Sequence, residues 1–233
     1  MRDQYAGDIS DYLKYAFLRA VCPDEGRLGV AWYFLPGDDG RPDGRHDEYL
    51  QDVRWRALDP TLFDHLKGRE HRSVAAVEKL GFWPEGTIFH AEAVPPSPGR
   101  ERWAAAMRAS LADAQAVFLD PDNGVSREGV VSRKSATVAE VKAFFDAGRL
   151  GLLIRFPHRV TTHDLQLEAY HQAFAAMSPV TIRTCARVPN AGGGSSPRIR
   201  WFTALNGSAD VRARMVEFAA RVEALPGGSA TVV

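Results

Sequence analysis

The sequence contains few cysteines and lysines and no long hydrophobic run. Its 233 residues include 2 cysteines, Cys22 and Cys185, which are too few and too far apart to predict a disulfide framework or a zinc knuckle. No apolar run approaches the roughly 20 residues that cross a bilayer, and the N-terminus lacks a signal-peptide core. We therefore expect a soluble, cytoplasmic protein that has no membrane partner.

Net charge is also missing from this chain. The 29 basic residues balance 29 acidic ones, so no overall field attracts nucleic acid or a membrane surface. The 7 histidines show no helical zinc spacing with an intervening glutamate, and a metal site is not indicated. The length fits one α/β domain over residues 1–225, followed by a flexible tail over residues 226–233.

Hydrophobic periodicity divides the chain into alternating helices and strands. Helices are predicted over residues 8–22, 61–80, 101–114, 137–147 and 164–177. Strands are predicted over residues 28–35, 87–93, 116–119, 151–156, 180–188 and 198–205. The last two strands are joined by a Gly/Ser-rich connection. This order predicts a Rossmann-like α/β fold with a mostly parallel sheet and a C-terminal antiparallel hairpin.

The most informative segment is residues 116–124, in which four apolar residues run directly into Asp120-Pro121-Asp122-Asn123-Gly124. A continuous apolar strand is typical of a parallel sheet covered on both faces, and such sheets bind ligands at the carboxyl ends of their strands. The same composition is also typical of an ordinary turn. Burial of the Asp120 carboxylate would be costly unless the group is paired or bound, which favours a functional site.

Further polar residues lie where a ligand could be contacted. On the first helix, one-turn spacing aligns Tyr5, Asp8, Asp11 and Lys14, although the alternative is a solvated face whose ion pair contributes roughly 0.2–0.5 kcal/mol. Other candidate substrate-binding residues are Arg45, His46, Arg155 and His158, with Phe156 as a stacking surface. Arg198 and Arg200 alternate along a strand and form a basic stripe that suits a nucleic-acid backbone. Exposed or core positions are the alternatives for these residues.

Three short motifs resemble a known family. Residues 5–15, Tyr-Ala-Gly-Asp-Ile-Ser-Asp-Tyr-Leu-Lys-Tyr, are similar to the His-Ala-Gly-Asn…Asp-Val-Leu-Lys-His opening of the bacterial large-subunit ribosomal RNA adenine-N6 methyltransferases. Asp120-Pro121 matches the first half of their Asp-Pro-Pro-Tyr motif, and residues 154–157 occupy the place of a strand ending in Trp-Tyr-Pro. The element order likewise resembles the class I S-adenosylmethionine-dependent methyltransferase fold.

The resemblance implies S-adenosylmethionine as cofactor and an amino group of a nucleic-acid base or nucleotide as methyl acceptor. The implied catalytic segment is Asp120, Pro121, Asp122 and Asn123, in which Asp120 and the Pro121 carbonyl accept the amine hydrogens. The implied cofactor-binding residues are Gly37, Asp39, Gly40 and Gly44. Two departures are evident, because Asp122-Asn123 replaces Pro-aromatic and the glycine turn lacks the acid-x-Gly-x-Gly order.

Two other functions are compatible with the sequence. Pro121-Asp122 followed by Glu140-Val141-Lys142 satisfies the Pro-Asp…Glu-x-Lys pattern of metal-dependent nucleases, although residues 137–147 are predicted to be helical and that motif normally uses a strand. A non-catalytic protein that keeps the methyltransferase fold and binds a nucleotide is the other alternative. Magnesium-dependent cleavage would indicate the nuclease, whereas nucleotide binding without cofactor binding would indicate the third function.

Overall fold

A seven-stranded mixed sheet organises the part of the chain that the computed structural model describes, residues 1–22, 26–37, 46–126, 130–189 and 195–233. The strands in chain order are β1 (Leu28–Ala31), β2 (Ile88–His90), β3 (Ala116–Leu119), β4 (Leu150–Arg155), β5 (Val180–Pro189), β6 (Ser195–Leu205) and β7 (Ser229–Val232). The protein is therefore a mixed α/β structure, as the sequence pattern predicts.

Seven α-helices accompany the strands in the described residues. They are α1 (Ile9–Val21), α2 (Pro60–Lys67), α3 (Val74–Glu78), α4 (Arg100–Ser110), α5 (Val138–Phe145), α6 (His163–Ala173) and α7 (Ala209–Glu223). The helical stretch predicted over residues 61–80 is divided in two, because α2 ends at Lys67 with Gly68 as its C-cap, and Ser73 caps a new helix by accepting from the Ala76 amide. None of the helices in the described ranges is long and apolar enough to cross a membrane.

The sheet order is β2-β1-β3-β4-β6-β5-β7, and the first four strands in this order are parallel. From β1 the chain passes to β2 on one side, and it then returns to β3 on the other side. The crevice between the carboxyl ends of β1 and β3 is thus the place where the strand order reverses, which is the usual ligand site of open α/β sheets. Asp120 lies at this position, and its amide donates to the Ala31 carbonyl at 2.9 Å.

The C-terminal half of the sheet is antiparallel. β6 pairs with both β4 and β5, so the predicted hairpin is present, and β7 adds to the free edge of β5. The structure differs here from the flexible tail expected over residues 226–233, because Ser229–Val232 forms β7. Short alternating segments at a chain end carry little sequence signal, and pairing with β5 supplies the order.

Two hydrophobic layers cover the sheet and fix the first helix in place. All four residues of β1 and all four of β3 are buried, as expected for strands covered on both faces. On α1, the Phe17 ring stacks on Phe202 of β6 at 4.9 Å and meets Phe218 of α7 at 5.5 Å. This packing holds the polar residues of α1 against the carboxyl end of β3.

Candidate functional site

A polar cavity of about 280 Å³ lies between the N-terminal turn of α1 and the carboxyl ends of β3 and β4. Most of its lining was singled out from sequence alone. The predicted residues that line it are Tyr5, Asp8, Asp11, Lys14, His46, Asp120, Pro121, Asp122, Asn123, Phe156, Arg198 and Arg200. The topology therefore brings residues from distant parts of the chain to one location.

Asp120 is the buried carboxylate at the floor of this cavity. Only 2 % of the residue is exposed. Both carboxylate oxygens accept hydrogen bonds from Nζ of Lys14, at 2.8 and 3.0 Å. The Lys14 ammonium thus compensates the negative charge of the buried Asp120 carboxylate at the end of β3.

Lys14 joins Asp120 to a second buried carboxylate, that of Asp11. Its Nζ lies 2.6 Å from Asp11 Oδ1, while Asp11 Oδ2 accepts from the Tyr15 hydroxyl at 2.7 Å and from the Gly7 amide at 2.8 Å. Burial by itself lowers the pKa of Lys14, but the two carboxylates outweigh it and the pKa is raised. The ammonium group is therefore charged throughout the physiological range. We call Asp11, Lys14 and Asp120 the buried triad.

Gly7 makes the turn that brings Asp11 to this position. Its φ of +77° belongs to the left-handed region that glycine adopts without steric cost. The amide of Gly7 reaches Asp11, and its carbonyl accepts from the Tyr49 hydroxyl at 3.0 Å. The Ala-Gly-Asp opening of the sequence is thus a structural requirement for the buried triad.

Asp8 is a third carboxyl group in the cavity wall and, unlike Asp11 and Asp120, it forms no ion pair with Lys14. It is the N-cap of α1, and its Oδ1 accepts from the amides of Ser10 at 2.8 Å and Asp11 at 3.0 Å. Burial, followed by repulsion from Asp11, raises the pKa of Asp8 to about 7. A carboxyl group with this pKa exchanges a proton at neutral pH and suits general acid–base chemistry.

The loop after Asp120 is held tightly against the sheet. Gly124 has a φ of +68°, its amide donates to the Pro121 carbonyl at 3.1 Å, and a Cβ at this position would lie 3.1 Å from the Ile154 carbonyl oxygen. Asp122 Oδ1 lies 2.6 Å from the amino nitrogen of Met1. Asp122 Oδ2 is buried and has no hydrogen-bond partner among the described residues.

A basic wall completes the cavity. It is formed by Arg198 and Arg200 of β6, together with Ser10, His46 and Phe156. Arg198 Nη2 lies 2.9 Å from His46 Nε2, and the Arg200 guanidinium lies over the Phe156 ring, 4.6 Å from its centre. Burial lowers the pKa of Arg200 to about 10.

Several predicted residues do not line the cavity. Arg155 packs over the rings of Tyr170 at 5.1 Å and Trp201 at 5.9 Å. Successive side chains of an extended chain point to opposite faces, so Phe156 lines the cavity and Arg155 does not. The His158 amide donates to Gln166 Oε1 at 3.0 Å, so this residue closes the turn before α6. Gly37 accepts from Arg2 Nη1 at 2.8 Å. The remaining predicted residues, Asp39, Gly40, Gly44 and Arg45, lie outside the described residues.

Three lining residues were not identified as site residues from the sequence, namely Met1, Ser10 and Lys134. Met1 reaches the site through its amino group, which pairs with Asp122. No local signal connects Ser10 with Arg200, which is 190 residues away. Lys134 reaches the site because its carbonyl accepts from the Asn123 amide at 2.8 Å. All three positions depend on tertiary contacts alone.

Asp122 of the nuclease pattern lines the cavity, whereas Glu140 and Lys142 do not. Glu140 and Lys142 lie in α5, as the sequence predicts, and Glu140 is paired with Arg100 at 2.6 Å and bonded to the Thr137 amide in a capping box. Lys142 is exposed. In the described ranges no group of three or more His, Cys, Asp or Glu residues has a geometry that could hold a metal ion. The structure offers no observation that favours the nuclease alternative.

Comparison with known proteins supports the fold. No protein-family model and no curated protein sequence matches this chain. The structure is similar to that of protein LPL1258 from Legionella pneumophila str. Philadelphia 1, which carries the family description DUF519. The two chains are 10 % identical, with coverage of 98 % of this chain and 97 % of the other and a TM-score of 0.56. At this identity the similarity concerns the fold alone.

Proposed function

We propose that this protein is a Rossmann-like, S-adenosylmethionine-dependent methyltransferase that acts on an amino group of a nucleic-acid base or nucleotide. The observation that carries the proposal is the position of Asp120-Pro121 at the carboxyl end of β3, beside β1, in the wall of a polar cavity. Open α/β sheets bind nucleotides and related cofactors at this crossing of strand order.

The acidic side of the cavity fits a ligand that carries hydrogen-bond donors. An ionised carboxylate offers about four acceptor sites, and Lys14 uses one on each oxygen of Asp120. Asp120 therefore keeps acceptor capacity for an amine, while Lys14 fixes its orientation and its charge. A base amine held in this way is positioned for attack by proximity and orientation.

Asp122 Oδ2 shows how the cofactor could fit this site, because this buried oxygen has no hydrogen-bond partner among the described residues. Oδ1 of Asp122 is paired with the Met1 amino group, and the remaining acceptor capacity of Oδ2 favours a donor-bearing ligand, such as the ammonium group of S-adenosylmethionine. Asp122 is the described residue that would hold it, while Asp120 holds the acceptor amine. When bound, the cofactor supplies an electrophilic methyl group. Asp8, with a pKa of about 7, would accept the proton that the methylated amine loses.

Calorimetry with S-adenosylmethionine and S-adenosylhomocysteine tests the proposal. We expect micromolar binding to the wild type and a loss of at least about tenfold, or about 1.4 kcal/mol, in Asp122→Asn. Asp146→Asn is the matched control, because Asp146 is an exposed carboxylate at the end of α5. A folded wild type that binds neither compound at millimolar concentration would refute the proposal.

A non-catalytic nucleotide-binding protein is the second candidate. It is favoured by one observation, which is that the Lys14 ammonium lies against the same carboxylate that would hold the acceptor amine. The Asp122-Asn123 sequence also supplies no aromatic ring for stacking on a base. Nucleotide binding without cofactor binding in the same calorimetric series would assign this function.

A further inference from the structure

The basic wall of the cavity contains two guanidinium groups on one face of β6. Arg198 and Arg200 are two residues apart on the strand, and both line the cavity. Among the described residues, no carboxylate forms an ion pair with either group. Asp8 and Asp11 attract Arg200 electrostatically, but neither forms an ion pair with it.

The contacts of these two residues are with neutral groups. Arg198 donates to His46, and its Nε is buried without a partner among the described residues. Arg200 donates from Nε at 3.2 Å and from Nη2 at 2.5 Å to the Ser10 hydroxyl oxygen, and from Nη1 to the Ile199 carbonyl at 2.7 Å. The Phe156 ring supports its guanidinium plane. The two side chains are therefore held in place without a carboxylate of the described residues in direct contact with either guanidinium group.

Two adjacent and partly buried cations are costly unless an anion compensates them. The planar guanidinium group matches the oxygens of a phosphate in a bidentate arrangement, which makes phosphate the anion best suited to this wall. Ser10 accepts from Arg200, so its own hydroxyl proton is directed to another acceptor. The volume of about 280 Å³ lies just below the roughly 300–1,000 Å³ of small-molecule sites, so the cavity would hold no more than about one nucleotide unit.

We infer that Arg198, Arg200 and Ser10 form a subsite for a nucleotide phosphate, on the wall of the same cavity that contains Asp120. The inference rests on the proposed function in one respect, namely that Asp120 contacts the amine of the base. A single nucleotide then bridges the cavity, with its phosphate at the arginines and its base at the acidic side. The substrate class is thus a phosphorylated nucleoside, supplied either free or within a strand.

Calorimetry with AMP, CMP and GMP, each compared with its own nucleoside, tests the subsite. We expect one of these nucleotides to bind the wild type at least tenfold more tightly than its nucleoside. In Arg198→Gln and Arg200→Gln this preference falls below about threefold, while the affinity for the nucleoside is retained. Arg187→Gln is the matched control, because Arg187 is an exposed arginine on the adjacent strand β5 and lies outside the cavity.

Circular dichroism shows whether each variant folds. If Arg200→Gln does not fold, Ser10→Ala is used in its place, and we expect it also to reduce the preference for nucleotide over nucleoside. Equal affinity for nucleotide and nucleoside in the wild type, or a preference that survives both arginine substitutions, overturns the inference. A trinucleotide that binds more tightly than the mononucleotide, with the same arginine dependence, identifies a strand as the source of the phosphate, whereas weaker binding identifies a free nucleotide.

The two proposals fail in different ways. Cofactor binding without a phosphate preference removes the subsite and leaves the methyltransferase proposal intact. A phosphate preference that depends on the arginines, in a protein that binds no cofactor, supports the subsite and removes the methyltransferase proposal.

Discussion

Replacement of Lys14 by methionine removes the one cation of the buried triad while keeping most of the side-chain volume. Lys14, Asp11 and Asp120 are 4 %, 1 % and 2 % exposed, so water cannot compensate the two carboxylates that remain. Removing one partner of a buried ion pair costs about 3–5 kcal/mol, because it leaves an uncompensated buried charge. We expect Lys14→Met to lower the free energy of unfolding by this amount.

Urea denaturation followed by circular dichroism measures this change, and thermal unfolding provides a second readout. For a domain of this size the same loss lowers Tm by about 6–20 °C. Lys142→Met is the matched control, because Lys142 is an exposed lysine in α5, and we expect it to change stability by less than about 0.5 kcal/mol.

A double-mutant cycle isolates the electrostatic part of the effect. Asp120→Asn removes one of the two carboxylates that Lys14 compensates, so the combined variant loses less than the sum of the single losses, by about 1–3 kcal/mol. A loss below about 1 kcal/mol for Lys14→Met at pH 7, or strict additivity in the cycle, would contradict this account.

Two further predictions concern the acidic wall and the loop after Asp120. Because the pKa of Asp8 is raised in the folded protein to about 7, its protonation favours folding, and this contribution is lost as the pH rises between about 4 and 7. Asp8→Asn keeps the N-cap and should flatten stability over this range in urea titrations at several pH values; an unchanged slope would contradict the prediction. Gly124→Ala should destabilise the protein by about 1 kcal/mol more than Gly148→Ala, because both glycines have positive φ but only Gly124 lies against the Ile154 carbonyl. Equal melting curves for the two variants would show that this contact is unimportant.

The buried triad and the basic wall give the cavity two sides of opposite character. The first holds carboxylates around one ammonium group, and the second holds guanidinium groups without carboxylate partners among the described residues. A ligand that satisfies both sides carries donors at one end and an anion at the other. This polarity is the physical basis for the nucleotide substrate proposed above.

The sequence by itself determined the mixed α/β pattern and most of one side of the cavity. The apolar run of residues 116–119 predicted a buried strand, which the structure contains as β3, and burial of the Asp120 that follows it predicted a partner for the carboxylate. Helical spacing on α1 aligned Asp11 with Lys14, which the structure shows as an ion pair of 2.6 Å. These inferences succeeded because they depend on local periodicity and on the cost of burying charge.

Only the tertiary structure decided which partner compensates Asp120 and what faces it across the cavity. Lys14 lies 106 residues from Asp120 in sequence, and Ser10 lies 190 residues from Arg200. Strand alternation placed Arg198 and Arg200 on one face of β6, but it did not show which element packs against that face. It also did not show that Arg155 packs on Tyr170 instead of lining the cavity. Strand order and helix packing determine such contacts, because they depend on which distant elements bury their apolar faces together, and no local pattern encodes that choice.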